Sequence, residues 1–457
     1  MYLLSALMML VPANDTVAWP GFLGAGASDV DPASLPTTWA ADQNIAWNVD
    51  IPGHGQSSPV IFGEHVFVTS CEGPNKETLH VVCLALEDGA IVWDKSLTST
   101  NPEKNSYYIS RSAPTPVVDA QHVFAYFESG DVVSLTHAGE VAWSRSLTKD
   151  YGKPLNRFGL SASPVQLEDR IIILVDDEKS QDRRRGAQPA EDTEGAGATS
   201  YILALNKADG EPLWKQDRTN RASWSSPTIV PVGDRRVVVC SSAGSVDGYA
   251  PDTGEQLFSY EEVGGNTAAT PIATGDGQFL VAASPGRGDQ GERADLAKRS
   301  NGLMQISNDG ETWSAEFVWK NSKASPSFGS PIVHKGFAYW VNRAGAVFCV
   351  DAESGELQYT SRLQAAWSTP IGIGDRIYFF SQKKGVTQVL ATGPEFKLLA
   401  TNNLWDEEPE DNSLSFGEGE SGGRASSRFS GQTTYGAAAV TGSLIIRTGN
   451  KVYCIRG

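Results

Sequence analysis

The sequence is short of cysteine, histidine, basic charge and long apolar runs, and each shortage excludes something. Its five cysteines (Cys71, Cys83, Cys240, Cys349 and Cys454) are odd in number, never adjacent and never spaced C-x-x-C. That pattern excludes a paired-thiol redox motif and a cysteine zinc site. Cys83, Cys349 and Cys454 lie in strand-like apolar runs (VVCLAL, VFCV, VYCI), where a thiol behaves as a small hydrophobe. Because the first cysteine is Cys71, none stands near the N-terminus to carry a lipid anchor. The apolar run at residues 2–12, YLLSALMMLVP, is too short for a membrane helix, which needs about 20 residues, and no later stretch approaches that length. The six histidines form no H-E-x-x-H, and there is no P-loop and no G-x-S-x-G elbow in a strand-to-helix context. With 37 basic against 54 acidic residues the net charge is −17, which repels phosphate backbones and argues against a nucleic-acid partner.

What is abundant is turn formers and tryptophan: 46 Gly, 24 Pro and 12 Trp in 457 residues. The short apolar run with small residues ahead of Asn14 reads as a signal peptide over residues 1–13. Residues 14–457 are then expected to be exported as a soluble chain.

An internal repeat explains the composition. A small residue followed by Pro and by alternating apolar residues recurs as SSPVIFGEHVFVTS, APTPVVDAQHVFAYF, ASPVQLEDRIIILV, SSPTIVPVGDRRVVVC, ATPIATGDGQFLVAA, GSPIVHKGFAYWV and STPIGIGDRIYFF. An eighth copy, AAAVTGSLIIRTG, carries Ala438 where the others have Pro. Taking Pro59, Pro114, Pro164, Pro227, Pro271, Pro331 and Pro370 as landmarks, the spacing averages about 52 residues, near that of four-stranded propeller blades. A second landmark is a strand-turn-strand that ends in an aromatic, best seen as ALNKADGEPLW at 204–214, with relatives ending at Trp93, Trp143, Phe258, Trp319 and Tyr359. Its Asp and Gly residues supply the positive-φ positions a tight hairpin needs. Period-2 alternation dominates and no long 3.6-residue period occurs, so the chain reads as all-β.

The eighth unit runs out at Gly457 before any fourth strand, and a strand around Gln43–Trp47, written QNIAW, lies ahead of the first landmark. The prediction is an eight-bladed β-propeller of four-stranded antiparallel blades, closed by an N-terminal strand that completes the last blade and leaves no open edge. The A-x-D-x-x-T-G-x-x-x-W pattern, matched loosely at 204–214 and 349–359, resembles the tryptophan-docking motif of PQQ-type, quinoprotein-like eight-bladed propellers. The opening WPGFLGAGASDV and LPTTWAADQNIAW resemble a bacterial family of exported PQQ-like repeat proteins, which implies that residues 14–457 are one propeller domain of the bacterial periplasm or cell envelope. That fold serves both quinoprotein dehydrogenases and the outer-membrane assembly lipoprotein BamB, so it does not choose the function.

In a four-stranded blade the A–B and C–D hairpins share one face, and the B–C and D–A connections share the other. The long segments, at 176–200, 285–300, 99–110, 149–159 and 400–434, all fall on the B–C/D–A face. Loops this long are functional or disordered. The polar middle of 176–200 reads as disordered, and seven acids between Asp406 and Glu420 read first as a solvated surface.

Residues at the starts of the A strands line the central funnel of such a ring. Here the candidates for a funnel-mouth binding site are His54, Gln56, Arg111, Trp224, Phe328 and Trp367, with Tyr108, Arg157, Arg221 and Arg343 in the flanking loops. Aromatic and arginine side chains around a concavity suit an aromatic or anionic ligand. Trp224 and Trp367 hold equivalent blade positions, so inter-blade packing accounts for them equally well. The resemblance to PQQ enzymes would require a vicinal disulfide, calcium ligands and a catalytic Asp. The chain has no Cys-Cys pair, and no position matches the others. No catalytic residue, metal ligand or cofactor is therefore assigned. The leading expectation is a non-catalytic exported propeller that binds or scaffolds protein partners through its loop-rich face. The alternatives are a PQQ- and calcium-dependent oxidoreductase of alcohols or sugars, and a carbohydrate-binding or hydrolytic propeller.

Overall fold

The computed structural model describes residues 17–24, 29–106, 109–156, 158–177, 200–286, 289–366, 368–409, 413–414 and 431–457. The candidate leader and most of 176–200 and 410–430 lie outside them. Eight antiparallel sheets follow one another around a ring. Blade 1 runs from the inner strand Val60–Phe62 through His65–Glu72 and Thr78–Ala85 to the outer strand Ile91–Thr98. The next six repeat that path, ending in the outer strands Val141–Ser146, Pro212–Asp217, Gln256–Tyr260, Trp313–Lys320, Leu357–Arg362 and Leu398–Asn403. Blade 8 takes Gly436–Val440, Ser443–Arg447 and Lys451–Ile455 from the C-terminus and its outer strand, Ile45–Asp50, from the N-terminus. Register from Ile45↔Ile455 to Asp50↔Lys451 closes the ring as expected.

The middle strands are continuous apolar runs because both faces of each are covered by neighbouring blades: Ile171, Ile172, Ile173 and Leu203 are fully buried. All five thiols sit in these layers, unpaired. Burial pushes Cys71, Cys83, Cys240 and Cys349 up to about 12. Helix is confined to connections, notably Leu147–Tyr151 after blade 2 and Glu292–Arg299 in the B–C insert of blade 5. Among the described residues no helix is long and apolar enough to cross a membrane.

The tryptophans dock each blade on the next. The indole N–H groups of Trp47, Trp93, Trp143, Trp214 and Trp319 donate to the turn carbonyls of Leu86, His137, Lys207, Pro251 and Ala352 at 2.8–3.1 Å. Each ring covers a turn glycine. At Gly210, φ is +74° and a β-carbon would stand 2.5 Å from the Trp143 ring, so both backbone and space demand glycine. These aromatics do not end their strands as expected. Trp93 and Trp143 are each the third residue, and the strand runs on past the docking point. Only Trp319 stands near the end, because the hairpin of blade 5 is extended on its C–D side.

The structure also corrects the repeat register at two blades. The hairpin turn of blade 2 makes Pro116, not Pro114, the equivalent of Pro59, and in blade 8 Ala437, not Ala438, takes the Pro position.

Candidate functional site

The residue just before each register Pro is Ser58, Thr115, Ser163, Ser226, Thr270, Ser330 or Thr369. Their hydroxyls form a belt. The amide of Ser58 donates to Thr115 Oγ1 at 2.9 Å, and that of Thr115 to Ser163 Oγ at 3.0 Å. The chain continues through Ser163, Ser226, Thr270 and Ser330 to Thr369 Oγ1, each link 2.8–3.0 Å. The motif follows from the geometry. An innermost strand has one unpaired edge, so Pro removes a donor that would face the channel, and the hydroxyl before it accepts the neighbouring blade's amide. Position eight is Gly436, where any β-carbon would collide with Ser58 Oγ.

Inside this belt lies a cavity of about 1340 Å³. Its floor is the N-terminal segment 17–24, which the sequence reading did not anticipate. Ala18 and Trp19 pair with Phe62 and Ile61 as a fifth, innermost strand on blade 1, and the Pro20 carbonyl accepts the Val118 amide of blade 2 at 2.9 Å. Trp19, Phe22 and Leu23 face the cavity. The chain then straps the underside. Arg376 donates to the carbonyls of Pro32 and Leu35, and Trp39 stacks on Tyr378 at 6.4 Å before the outer strand of blade 8 begins. A two-residue strand is too short to leave a period-2 signal; the clue was a Trp-Pro pair outside the repeat register.

The mouth opens on the B–C/D–A face. Of the expected residues, Gln56, Arg111, Trp224, Phe328 and Arg343 line the cavity. Gln56 and Arg111 are tied by two bonds, the Gln56 amide to the Arg111 carbonyl and the Arg111 amide to Gln56 Oε1. Trp224 donates to Asn156 Oδ1 at 3.1 Å and packs on Phe158, so it serves inter-blade packing as well as the lining. Phe328 is exposed. Two expected residues do not reach the cavity wall. His54 is buried at the seam of blades 8 and 1, with Nδ1 3.1 Å from Ser413 Oγ, and Arg221 is held outside by Glu261 at 2.8 Å. Tyr108, Arg157 and Trp367 lie outside the described residues.

The electrostatics of the wall are one-sided. Among the described residues no Asp, Glu or Lys lines the cavity, whereas Arg111 and Arg343 do. Arg111 is 3% exposed; Nη1 donates to the Ser106 carbonyl at 2.7 Å, Nε has no acceptor, and no described carboxylate pairs with it. Behind the belt, fully buried Arg447 donates to the carbonyl and hydroxyl of Ser57 and to the Thr69 carbonyl, again with no described carboxylate. Burial lowers its guanidinium to about 9, which leaves it charged at neutral pH. Elsewhere buried cations are paired: Lys76 with Glu128 at 3.1 Å, Arg218 with Asp176 at 2.7 Å. No group of His, Cys, Asp and Glu among the described residues could hold a metal ion.

Comparison with known proteins now fixes the family. The family model described as outer membrane protein assembly factor BamB matches residues 35–200 and 196–397. The chain belongs to that family. The BamB of Alkalilimnicola ehrlichii is 21% identical over 230 residues, which are 50% of this chain and 49% of that protein. The chain thus spans about half the length of the curated relative it matches. Among solved structures, BamB from Moraxella catarrhalis superposes with a TM-score of 0.54 at 11% identity, covering 90% of this chain and 98% of that one. The computationally designed Ika8 protein gives 0.55 at 10% identity, covering 91% and 100%. At such identities these two show the shared fold of the BamB-family chain and nothing finer.

Proposed function

We propose that this BamB-family propeller is a non-catalytic binding module of the cell envelope that receives a polypeptide partner at the mouth of its central cavity. The observation that carries the reading is the cavity itself: floored by residues 17–24, walled by hydroxyls whose neighbours' amides already bond to them, and rimmed by exposed Phe328 and Phe158. Its lining has the aromatic and arginine character of binding surfaces. Its described lining holds no carboxylate, thiol or lysine, and its histidine, His334, is engaged through Nε2 with the Gly374 carbonyl at 2.7 Å. For PQQ with calcium the described lining offers the amide oxygens of Gln56, Asn342 and Gln382 but no carboxylate. The volume exceeds the ~300–1,000 Å³ usual for small-molecule sites, which favours several residues of a chain. The relatives' name, an assembly factor of outer-membrane proteins, supports a protein partner and an envelope location, and the short apolar leader supports export.

The test places the photo-crosslinker p-benzoylphenylalanine at Phe328 on the mouth, or at Asp234 in an A–B turn of the opposite face, in the expressing cell. Discrete polypeptide adducts at Phe328 with none at Asp234 are expected. Equal yields at both positions, or none at either, would overturn the reading.

A further inference from the structure

The cavity wall and the layer behind it carry positive charge that no described carboxylate answers. Arg111 and Arg447 flank residues 56–58: the first exchanges two bonds with Gln56, and the second donates two to Ser57. Both are almost completely buried, and neither meets a described carboxylate. A buried charge without a counter-ion is costly, and the usual remedy is a partner. The carboxylate of Glu128 does not fill that role, because it is occupied by Lys76 Nζ and the Ser112 amide. The contrast with the whole chain sharpens the point. A protein with a net charge of −17 has kept every described acid out of this one concavity. Low-dielectric walls focus the field of the charges they hold, so an anion in the cavity would feel these two guanidinium groups strongly.

Arg343 adds a third positive charge on a different blade. It sits exposed in the B–C turn of blade 6, its amide held by Ser327 Oγ at 3.1 Å. Charges on separated parts of one mouth do not converge on a point, as they would for phosphate. They suit carboxylates spaced along an extended chain, with Trp224 and Phe328 lining the same cavity between them.

We infer that the cavity recognises an acidic, aromatic-bearing stretch of polypeptide, whose carboxylates pair with Arg111 and Arg343 at the wall and are drawn by the buried charge of Arg447 behind it. The inference rests on the polypeptide-binding reading above and adds the chemistry of the partner. A free polycarboxylate would satisfy the same charges, so the experiment separates the two sources.

The probe is a fluorescein-labelled dodecapeptide of alternating Glu and Phe, compared with its Gln/Phe counterpart by fluorescence anisotropy on the full chain, with citrate as competitor. The Glu peptide should bind at least tenfold more tightly than the Gln peptide, and raising salt from 50 to 500 mM should erase most of that difference. Arg111→Gln should weaken the Glu peptide about tenfold and leave the Gln peptide unchanged. Should Arg111→Gln fail to fold, Arg343→Gln, an exposed site, should still weaken the Glu peptide about threefold with an unaltered melting temperature. Equal binding of the two peptides would overturn the charge inference while leaving polypeptide binding intact. Binding of citrate with no binding of either peptide would overturn the polypeptide source. Binding of none of the three would overturn the inference altogether, with the crosslinking experiment deciding separately whether the mouth meets protein.

Discussion

On the underside of the ring the A–B turns are short and the N-terminal strap crosses from the inner edge of blade 1 to the outer edge of blade 8, bonded to blades 1, 2, 7 and 8 on the way. On the upper side the connections are long, the aromatics Phe158 and Phe328 are exposed, and two arginines at or behind the wall meet no described carboxylate. The same eight repeats build both faces. The difference teaches where this protein keeps its stability and where it leaves interactions unmade. The underside and the belt are knit by backbone and hydroxyl bonds, although the indole N–H groups of Trp19 and Trp39 are buried there without a partner, whereas the mouth exposes aromatic rings and holds arginine charge that no described carboxylate answers.

The largest expected effect contrasts a tryptophan of the strap with an aromatic of the mouth. Trp39→Ala removes a buried ring from its stack on Tyr378 and should cost about 3–5 kcal/mol in urea unfolding. Phe328→Ser should stay within about 0.5 kcal/mol of the parent, because its ring is exposed. A comparable loss at both sites would erase the distinction between the faces.

A smaller effect tests the belt. Ser163→Ala leaves the Thr115 amide without its acceptor in a buried position and should cost about 1–3 kcal/mol. The control, Ser327→Ala at the mouth, frees only an exposed amide and should cost less in the same melt.

The smallest effect is a pH dependence on the underside. Burial opposes ionisation of Asp119, but the amides of Gln121 and His122 and the Lys207 ammonium outweigh it and hold the carboxyl below the usual carboxylate range. Its folded pKa is thus below the unfolded value of about 3.9, so its stabilisation is complete above that value and fades as pH falls through the folded one. The stability difference between the parent and Asp119→Asn should therefore shrink between pH 6 and pH 2. A constant difference would show that the charge is not what Asp119 contributes.

How far the sequence reached depended on repetition. The hairpin ALNKADGEPLW announced Trp143 and Trp214 docking because the positive-φ glycine and the aromatic recur at fixed offsets in successive blades. The missing fourth strand of blade 8 was visible by counting, and Ile45–Asp50 filled it. Register slipped where the repeat is imperfect. Residues 113–116 offer two prolines, and in blade 8 a run of three alanines hides the position. At the site, Gln56, Arg111, Trp224, Phe328 and Arg343 were legible as residues near A-strand starts or B–C turns. His54 and Arg221 share the same sequence position rule, but a seam and a nearby Glu261 took them elsewhere.

The sequence by itself determined the ring: the number of blades, their strand order, the closure and the face that bears the long loops. All of these follow from local period-2 patterning, turn chemistry and counting. Only the tertiary structure decided that residues 17–24 floor the channel, that hydroxyls before the prolines join blade to blade, and that Arg111 and Arg447 stand on either side of residues 56–58 without a described acid. The physical reason is distance along the chain. Arg447 meets Ser57 across 390 residues, and an absent counter-ion is a property of everything packed around a charge, which no local pattern records.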